Sequence, residues 1–223
     1  MKQVWAAVAA MAFVAVAAAQ GEADGHALRD KGVAGELWKQ EHALERAGKF
    51  QQAIDVCQQI ARQDPTQNAT ALSTIAALQG RQGHYAEEID WAQRALAADP
   101  KFFQAEINLG TAQAQLGHLD LAQAAYERAR ALAPRSPLPL YSLGTLAEIR
   151  RDVAGATALY KQSVAVDPKF ESGWFNLAAM QARAGRFDDA LASLDKVLAL
   201  NPKADDAKAM RRHVEADKAA TKH

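Results

Sequence analysis

The sequence predicts an all-α fold built from repeated helical hairpins, and three observations lead to this prediction. Five prolines, at positions 65, 100, 134, 168 and 202, close apolar stretches at spacings of 35, 34, 34 and 34 residues. Further columns of apolar, small and glycine residues fall into register with these prolines. No strand-like alternation of apolar and polar residues occurs within this period. Because a helical unit of this length cannot bury its apolar face alone, the units are expected to stack as an α-solenoid.

Alignment on the prolines defines five units and a set of recurring columns. The units are 34–68, 69–102, 103–136, 137–170 and 171–204. The hairpin-turn column holds Gly48, Gly83, Gly117, Arg151 and Gly185, and the residue two positions later is always apolar. A small-residue column, twelve positions before each proline, holds Ala53, Glu88, Ala122, Ala156 and Ala190. Small side chains let two helices approach to roughly 8–10 Å, so Glu88 departs from the pattern.

The fifth unit carries the clearest family signature. It contains Gly173-Trp174-Phe175-Asn176-Leu177-Ala178, then Gly185-Arg186-Phe187-Asp188-Asp189-Ala190, and it closes on Asn201-Pro202. This arrangement resembles the tetratricopeptide repeat (TPR) family over about residues 34–204. The resemblance implies helical hairpins whose first helices form an inner, concave wall, and a protein or peptide as the binding partner.

The segment after the fifth unit predicts a capping helix over 205–218, followed by a short tail, 219–223. Ala207, Met210 and Val214 recur at i, i+3 and i+7, so they form one apolar stripe on an otherwise charged helix. Such a stripe is expected to cover the last hairpin.

The N-terminus predicts export. Lys2 precedes an apolar run over 4–16, and Ala17-Ala18-Ala19 provides small residues for cleavage, so 1–19 is expected to be a signal peptide. Residues 20–33 are then a flexible leader, and the protein is periplasmic or secreted. The alternative is an uncleaved anchor in the inner membrane facing the periplasm, since residues 3–19 are only slightly shorter than the ~20 needed to span hydrocarbon.

Composition and motif content argue against catalysis, metals, cofactors and nucleic acid. The chain has 26 basic and 26 acidic residues, whereas a polyanion-binding protein needs a concentrated basic patch. The histidines lack metal-ligand spacing, and His84 and His118 are expected to be polar loop residues. The glycines are spread one or two per repeat rather than grouped in a phosphate-binding loop. The chain is therefore expected not to be an enzyme, to use no cofactor, and to have no catalytic or metal site.

The candidate site is the groove formed by the first helices. Given the packed stripe of these helices, two columns should point inward, one with large apolar side chains and one with small ones. The predicted groove residues are Trp38, His42, Ile107, Asn108, Thr111, Tyr141, Thr145, Phe175 and Asn176. Apolar anchors would bind an extended or helical segment, and the Asn amides would bond its backbone.

The predicted function is a non-enzymatic scaffold of the cell envelope that binds a peptide or protein segment in this groove. The alternative is a membrane-anchored structural subunit or assembly factor of an envelope complex that uses its convex face or its ends. Membrane contact is expected only if the N-terminus remains uncleaved. The partner's identity, the pathway and the oligomeric state do not follow from the residues.

Overall fold

A computed structural model describes residues 33–221, and the regular secondary structure of this part of the chain is entirely helical. The predicted signal peptide and nearly all of the leader lie outside the described residues. The α-helices of the described part are α1 (Val33–Arg46), α2 (Phe50–Gln63), α3 (Asn68–Arg81), α4 (Tyr85–Ala98), α5 (Phe103–Gln115), α6 (Leu119–Leu132), α7 (Leu138–Ile149), α8 (Val153–Val166), α9 (Glu171–Arg183), α10 (Phe187–Leu200) and α11 (Asp205–Ala220). A short 3-10 turn, Pro65–Gln67, joins α2 to α3. The predicted all-α class with helical hairpins is confirmed.

The described chain divides into two compact units, which meet in sequence between Ala133 and Pro134. In the first unit, helices α1 to α6 form three hairpins, and each helix packs against the next. In the second unit, α7 to α11 pack in the same sequential manner, as two hairpins and a final helix. Each hairpin therefore buries its apolar side against its neighbour within the unit.

The turn between the two helices of each hairpin uses a left-handed residue. Gly48, Gly83, Gly117 and Gly185 have φ of 70°, 80°, 82° and 73°, and Arg151 in the fourth hairpin has φ 61°. A Cβ at any of these four glycines would meet nothing within 4 Å, so the backbone angle and not space selects glycine. The residue after the turn donates its N–H back into the first helix, as His84 does to the Gln79 carbonyl at 3.0 Å. This geometry closes the helix end in the Schellman manner.

The crossing of the two helices in a hairpin depends on matched side-chain sizes. Tyr126 lies where a Cβ on Gly110 would be 2.5 Å from its ring, and Tyr160 stands in the same relation to Gly144, at 2.6 Å. In the fifth hairpin the tyrosine column holds Leu194 and the glycine column holds Ala178, both fully buried. The large ring is thus accommodated by removing the methyl group opposite to it.

Helix α11 covers the open side of α10. Ala207, Met210 and Val214 are buried on the helix that packs against α10. Two ion pairs across the contact, Lys218 with Asp188 and Arg211 with Asp195, lie among exposed side chains and add little to stability. None of the helices within residues 33–221 combines the length and the apolar character that a membrane span requires.

Candidate protein-binding surface on the first helices

Six of the nine predicted groove residues are buried. Trp38, Ile107, Asn108, Tyr141, Thr145 and Asn176 retain between 0% and 5% of their accessible surface. The remaining three, His42, Thr111 and Phe175, are half-buried. The expectation that all nine line an open groove is therefore not met by the six buried residues, because their side chains are packed inside the protein.

The buried Asn side chains join neighbouring repeats. The Asn108 amide on α5 donates to the backbone carbonyl of Ser73 on α3 at 2.8 Å, and it lies 3.0 Å from the Ser73 hydroxyl. The Asn176 amide on α9 donates to the Tyr141 hydroxyl on α7 at 3.0 Å. Both bonds span 35 residues, which is one repeat plus one position. The amides expected to bond a peptide backbone thus bond the preceding repeat instead.

Tyr141 is buried in an aromatic cluster rather than exposed on an open wall. Its ring centroid lies 5.4 Å from that of Tyr160 and 5.2 Å from that of Phe170, with the Phe170 ring edge-on. Burial raises the pKa of its phenol, and the Asn176 amide satisfies its oxygen. Edge-to-face aromatic packing stabilises such a cluster beyond the area that it buries. Tyr141 therefore holds the fourth and fifth repeats together.

A threonine on the first helix meets a tyrosine on the second helix in two successive repeats. The hydroxyls of Thr111 and Tyr126 are 3.2 Å apart, and those of Thr145 and Tyr160 are also 3.2 Å apart. The Tyr160 hydroxyl donates in turn to Glu148. Each tyrosine hydroxyl thus reaches across its hairpin to a first-helix residue that the sequence places in the groove.

Two glutamates near the ends of first helices pair with arginines of the following repeat. Glu45 lies 2.5 Å from the Arg81 guanidinium, and Glu148 lies 3.7 Å from that of Arg183. Desolvation raises the pKa of Glu148, while the Tyr160 hydroxyl and Arg183 act in the opposite direction. In both pairs the arginine follows the repeat equivalent of the glutamate by one position. These pairs were not predicted from the sequence. The signal that could have found them is the equal column offset between the glutamate and the arginine in both pairs.

Glu88 is a third carboxylate that lies beside the end of a first helix, but it belongs to α4, which is a second helix. It is 3% exposed, and a Cβ on Gly80 would overlap its Oε2 atom. Gly80 is the repeat equivalent of Glu45, so the Glu88 carboxylate fills the space where a side chain at position 80 would begin. Burial raises the pKa of Glu88 to about 8. Its Oε2 is a buried atom with no hydrogen-bond partner within residues 33–221.

The accessible part of the first helices differs from the set predicted from sequence. On α9, Ser172 and Phe175 are half-buried and Arg183 is exposed, and their spacing of i, i+3 and i+11 places them on one face. We call these three residues the α9 face. Ser172 and Arg183 are absent from the predicted groove. Their accessibility could be assigned only once the neighbouring side chains were placed.

His84 and His118 occupy the same turn column in adjacent hairpins. His84 Nδ1 lies 2.9 Å from the Gln79 amide oxygen, and His118 Nδ1 lies 2.8 Å from that of Gln113, so each interacts within its own hairpin.

A mixed group of titratable side chains lies in α1. His42 Nδ1 is 3.1 Å from a carboxylate oxygen of buried Glu41 and 3.8 Å from one of Glu45. The group contains ligand types that a cation could use, but Glu45 is engaged by Arg81. It was not predicted from sequence.

Comparisons with known proteins agree with the observed geometry. One family model for tetratricopeptide repeats matches residues 42–101 and 107–169, and a second matches residues 149–214. A relative, cellulose synthase operon protein C of Pseudomonas fluorescens SBW25, is 31% identical over 183 residues, 77% of this chain. The match spans only 14% of that relative's length.

Solved structures show the same fold. A thermophilic TPR protein from Thermus thermophilus superposes with a TM-score of 0.71 at 21% identity, covering 82% of this chain and 98% of that one. Yeast Tom70 gives a TM-score of 0.71 at 17% identity, covering 83% of this chain and 40% of that one. At these identities the likeness concerns the fold alone. Together with the family matches over most of the chain, the hairpin turns and the size-matched crossings show that this chain belongs to the tetratricopeptide repeat family.

Proposed function

We propose that this protein is a non-catalytic scaffold of the cell envelope that binds a segment of a partner protein on the accessible face of its first helices. TPR folds serve as scaffolds for protein–protein interaction, and that general role follows from family membership. The half-buried Phe175 is the observation that supports this particular surface, because it is the aromatic member of the predicted site that keeps accessible area.

The α9 face has the composition of a small recognition surface. Phe175 supplies an apolar anchor, Ser172 a hydroxyl, and Arg183 a cation that Glu148 engages only at 3.7 Å. Aromatic and arginine side chains are the residues that most often dominate binding energy at interfaces. Burial of one aromatic side chain contributes roughly 1.5–3 kcal/mol before ordering costs, so a surface with this single anchor is expected to bind its partner weakly and exchangeably.

The proposed location outside the cytoplasm rests on the N-terminal sequence. A basic residue, an apolar run and three alanines match a secretory signal. A relative named for a cellulose synthase operon is similar over 77% of this chain, which gives cellulose synthesis as one context to test. Mass spectrometry of the mature N-terminus and fractionation of the envelope would test the location. Retention of residues 1–19 on a membrane fraction would favour the anchored alternative.

A second candidate function, a structural subunit that associates through its second helices, is favoured by one observation. Val166 and Leu200 end α8 and α10 at equivalent positions and are 38% and 40% exposed. Leu132 ends α6 in the same column of the first unit, at 38%. Exposed apolar residues that recur on one side of a repeat fit contact with another protein subunit.

Matched alanine variants distinguish the two functions. Partners are captured from the native envelope on the wild type, on Phe175→Ala and on Leu200→Ala, and the captured protein is then purified and titrated directly. Binding to the α9 face predicts at least about tenfold weaker affinity for Phe175→Ala, equivalent to about 1.4 kcal/mol, with Leu200→Ala unchanged. The reverse pattern, together with self-association in light scattering that Leu200→Ala abolishes, would favour the structural role instead.

A further inference from the structure

The strongest unassigned feature is the Glu88 carboxylate beneath Gly80. In the same unit, Glu45 lies near the end of α1 and is met by Arg81 from the following repeat at 2.5 Å. In the other unit, Glu148 lies near the end of α7 and is met by Arg183 of its following repeat. A carboxylate near the end of a first helix that pairs with an arginine of the following repeat is thus a recurring arrangement.

The second repeat has the carboxylate but lacks the arginine. Gly80 is the equivalent of Glu45 in the second repeat, and Glu88 from α4 places its Oε2 so close to Gly80 that a Cβ there would overlap it. The repeat equivalent of Arg81 in the third repeat is Gln115, an exposed and uncharged residue. Glu88 Oε2 is buried and, within residues 33–221, accepts no hydrogen bond. The arrangement therefore presents a carboxylate whose cationic counterpart is absent at the equivalent position.

We propose that Glu88 receives an arginine side chain of the bound partner, which takes the position that Arg81 and Arg183 occupy beside Glu45 and Glu148. This inference rests on the proposed function and specifies the partner chemistry of the first unit. Glu88 keeps 3% of its accessible surface, and the half-buried Gly80 carries no side chain over the carboxylate, so under this proposal the guanidinium would approach from the side of the first helices. A charge-assisted pair with arginine is about twice as strong as a neutral hydrogen bond.

Three titratable side chains near Glu88 are Tyr126, His84 and Arg81. They are compatible with a cation bound to Glu88, and none of them takes the place of that cation. Tyr126 on α6 is a neighbour whose phenol pKa is raised by burial and raised further by the Glu88 charge, so the phenol stays neutral at physiological pH. His84, one turn before Glu88, interacts within its own hairpin. Arg81, next to Gly80, is engaged by Glu45. Among the described residues, none of these groups donates a hydrogen bond to Glu88 Oε2.

The test uses a minimal probe, since the partner is unidentified. Nα-acetyl-arginine amide is titrated into the isotope-labelled full chain while NMR shifts of the Gly80 and Gln115 amides are followed, with the neutral isostere acetyl-citrulline amide as control. We expect saturable shifts with the arginine compound and none with citrulline. Glu88→Gln should abolish the shifts, and Gln115→Arg should weaken them because the chain then supplies its own cation. Unchanged shifts in Glu88→Gln, or no shift in the wild type, would overturn the proposal.

The pH dependence of probe binding distinguishes arginine binding by Glu88 from a purely structural role of this residue, which would not produce it. Since the pKa of Glu88 in the folded protein is about 8, the ionised form that binds arginine is a minor fraction at pH 7. Apparent affinity scales with the competent fraction, so binding of the probe should be about tenfold tighter at pH 9 than at pH 7. A partner captured through Phe175 whose affinity is identical for wild type and Glu88→Gln would retain the proposed function and refute this inference.

Discussion

The Asn176 amide donates to the Tyr141 hydroxyl, 35 residues earlier, at 3.0 Å between two buried side chains. Asn108 occupies the same column two repeats earlier, and its amide donates to the backbone carbonyl of Ser73, which is also 35 residues earlier in the sequence. The bond thus runs from the first helix of one repeat to the first helix of the repeat before it. It stabilises the stacking of hairpins, which in a repeat protein sets the cooperativity of the unit.

We expect Asn176→Ala to destabilise the protein by about 1–3 kcal/mol, because it leaves the buried Tyr141 oxygen without that donor. Tyr141→Phe removes the other partner and should cost less, since the ring keeps its packing on Tyr160 and Phe170. Urea unfolding of both single variants and the double variant gives the coupling energy. A coupling of about 0.5 kcal/mol or more is expected, and strict additivity would show that the bond contributes nothing.

Arg151 occupies a backbone conformation that suits glycine. Its φ of 61° matches the four glycine turns, and its side chain is exposed. A non-glycine residue in the left-handed backbone region destabilises the folded protein by roughly 1–2 kcal/mol. Glycine avoids this strain, but part of the gain is offset because glycine has more conformational freedom in the unfolded chain. We therefore expect Arg151→Gly to stabilise the protein by about 1 kcal/mol in thermal unfolding.

The control for this variant is Ala184→Gly, which lies at the end of α9 with φ −83°. Its backbone already has an ordinary conformation, so glycine there should destabilise the protein by roughly 0.5–1 kcal/mol. Equal effects of the two substitutions would show that the left-handed angle at Arg151 carries no cost.

Repeat columns were predictable from sequence because they are fixed by backbone geometry and size. A left-handed turn favours glycine and a close helix crossing requires a small residue, so the positions of Gly117 and Ala122 predict the hairpin directly. The pairing of Gly110 with Tyr126 is also visible in the sequence once the columns are aligned. These features depend on one repeat at a time.

The candidate site was less predictable because accessibility depends on neighbouring repeats. Tyr141 and Phe175 share a column, yet Tyr141 is sealed by Phe170 and Asn176 among others, while Phe175 keeps accessible area. The Asn176 amide could have bonded either a ligand or the preceding repeat, and its spacing alone does not decide. Glu88 stands out in the small-residue column, but its position beneath a first helix emerges only when the side chain of a second helix is placed.

Size matching at the hairpin crossing predicts the effect of Gly144→Ala. The new methyl would lie 2.6 Å from the Tyr160 ring, so we expect a loss of about 1–3 kcal/mol from overpacking. Adding Tyr160→Leu recreates the Ala178 and Leu194 pair of the fifth hairpin. Tyr160→Leu alone also removes the hydroxyl contact with Thr145. The double variant should therefore be less destabilised than the sum of the two singles in urea unfolding, and a larger loss than that sum would contradict size matching.

Glu88 should make stability fall as pH rises. Burial raises its pKa to about 8 in the folded state, whereas the unfolded chain releases the proton near the ordinary value of 4.5, so folding takes up a proton between these values. Stability then decreases by up to about 1.4 kcal/mol per pH unit in that interval, and the contribution levels off above pH 8. Glu88→Gln should flatten this component of the thermal-unfolding profile and raise stability most at pH 8 and above, whereas Glu87→Gln, at an exposed neighbouring position, should leave the profile unchanged. If the stability of the wild type and of Glu88→Gln changes with pH in parallel from about pH 5 to pH 9, the buried carboxyl ionises in the folded state as it does in water.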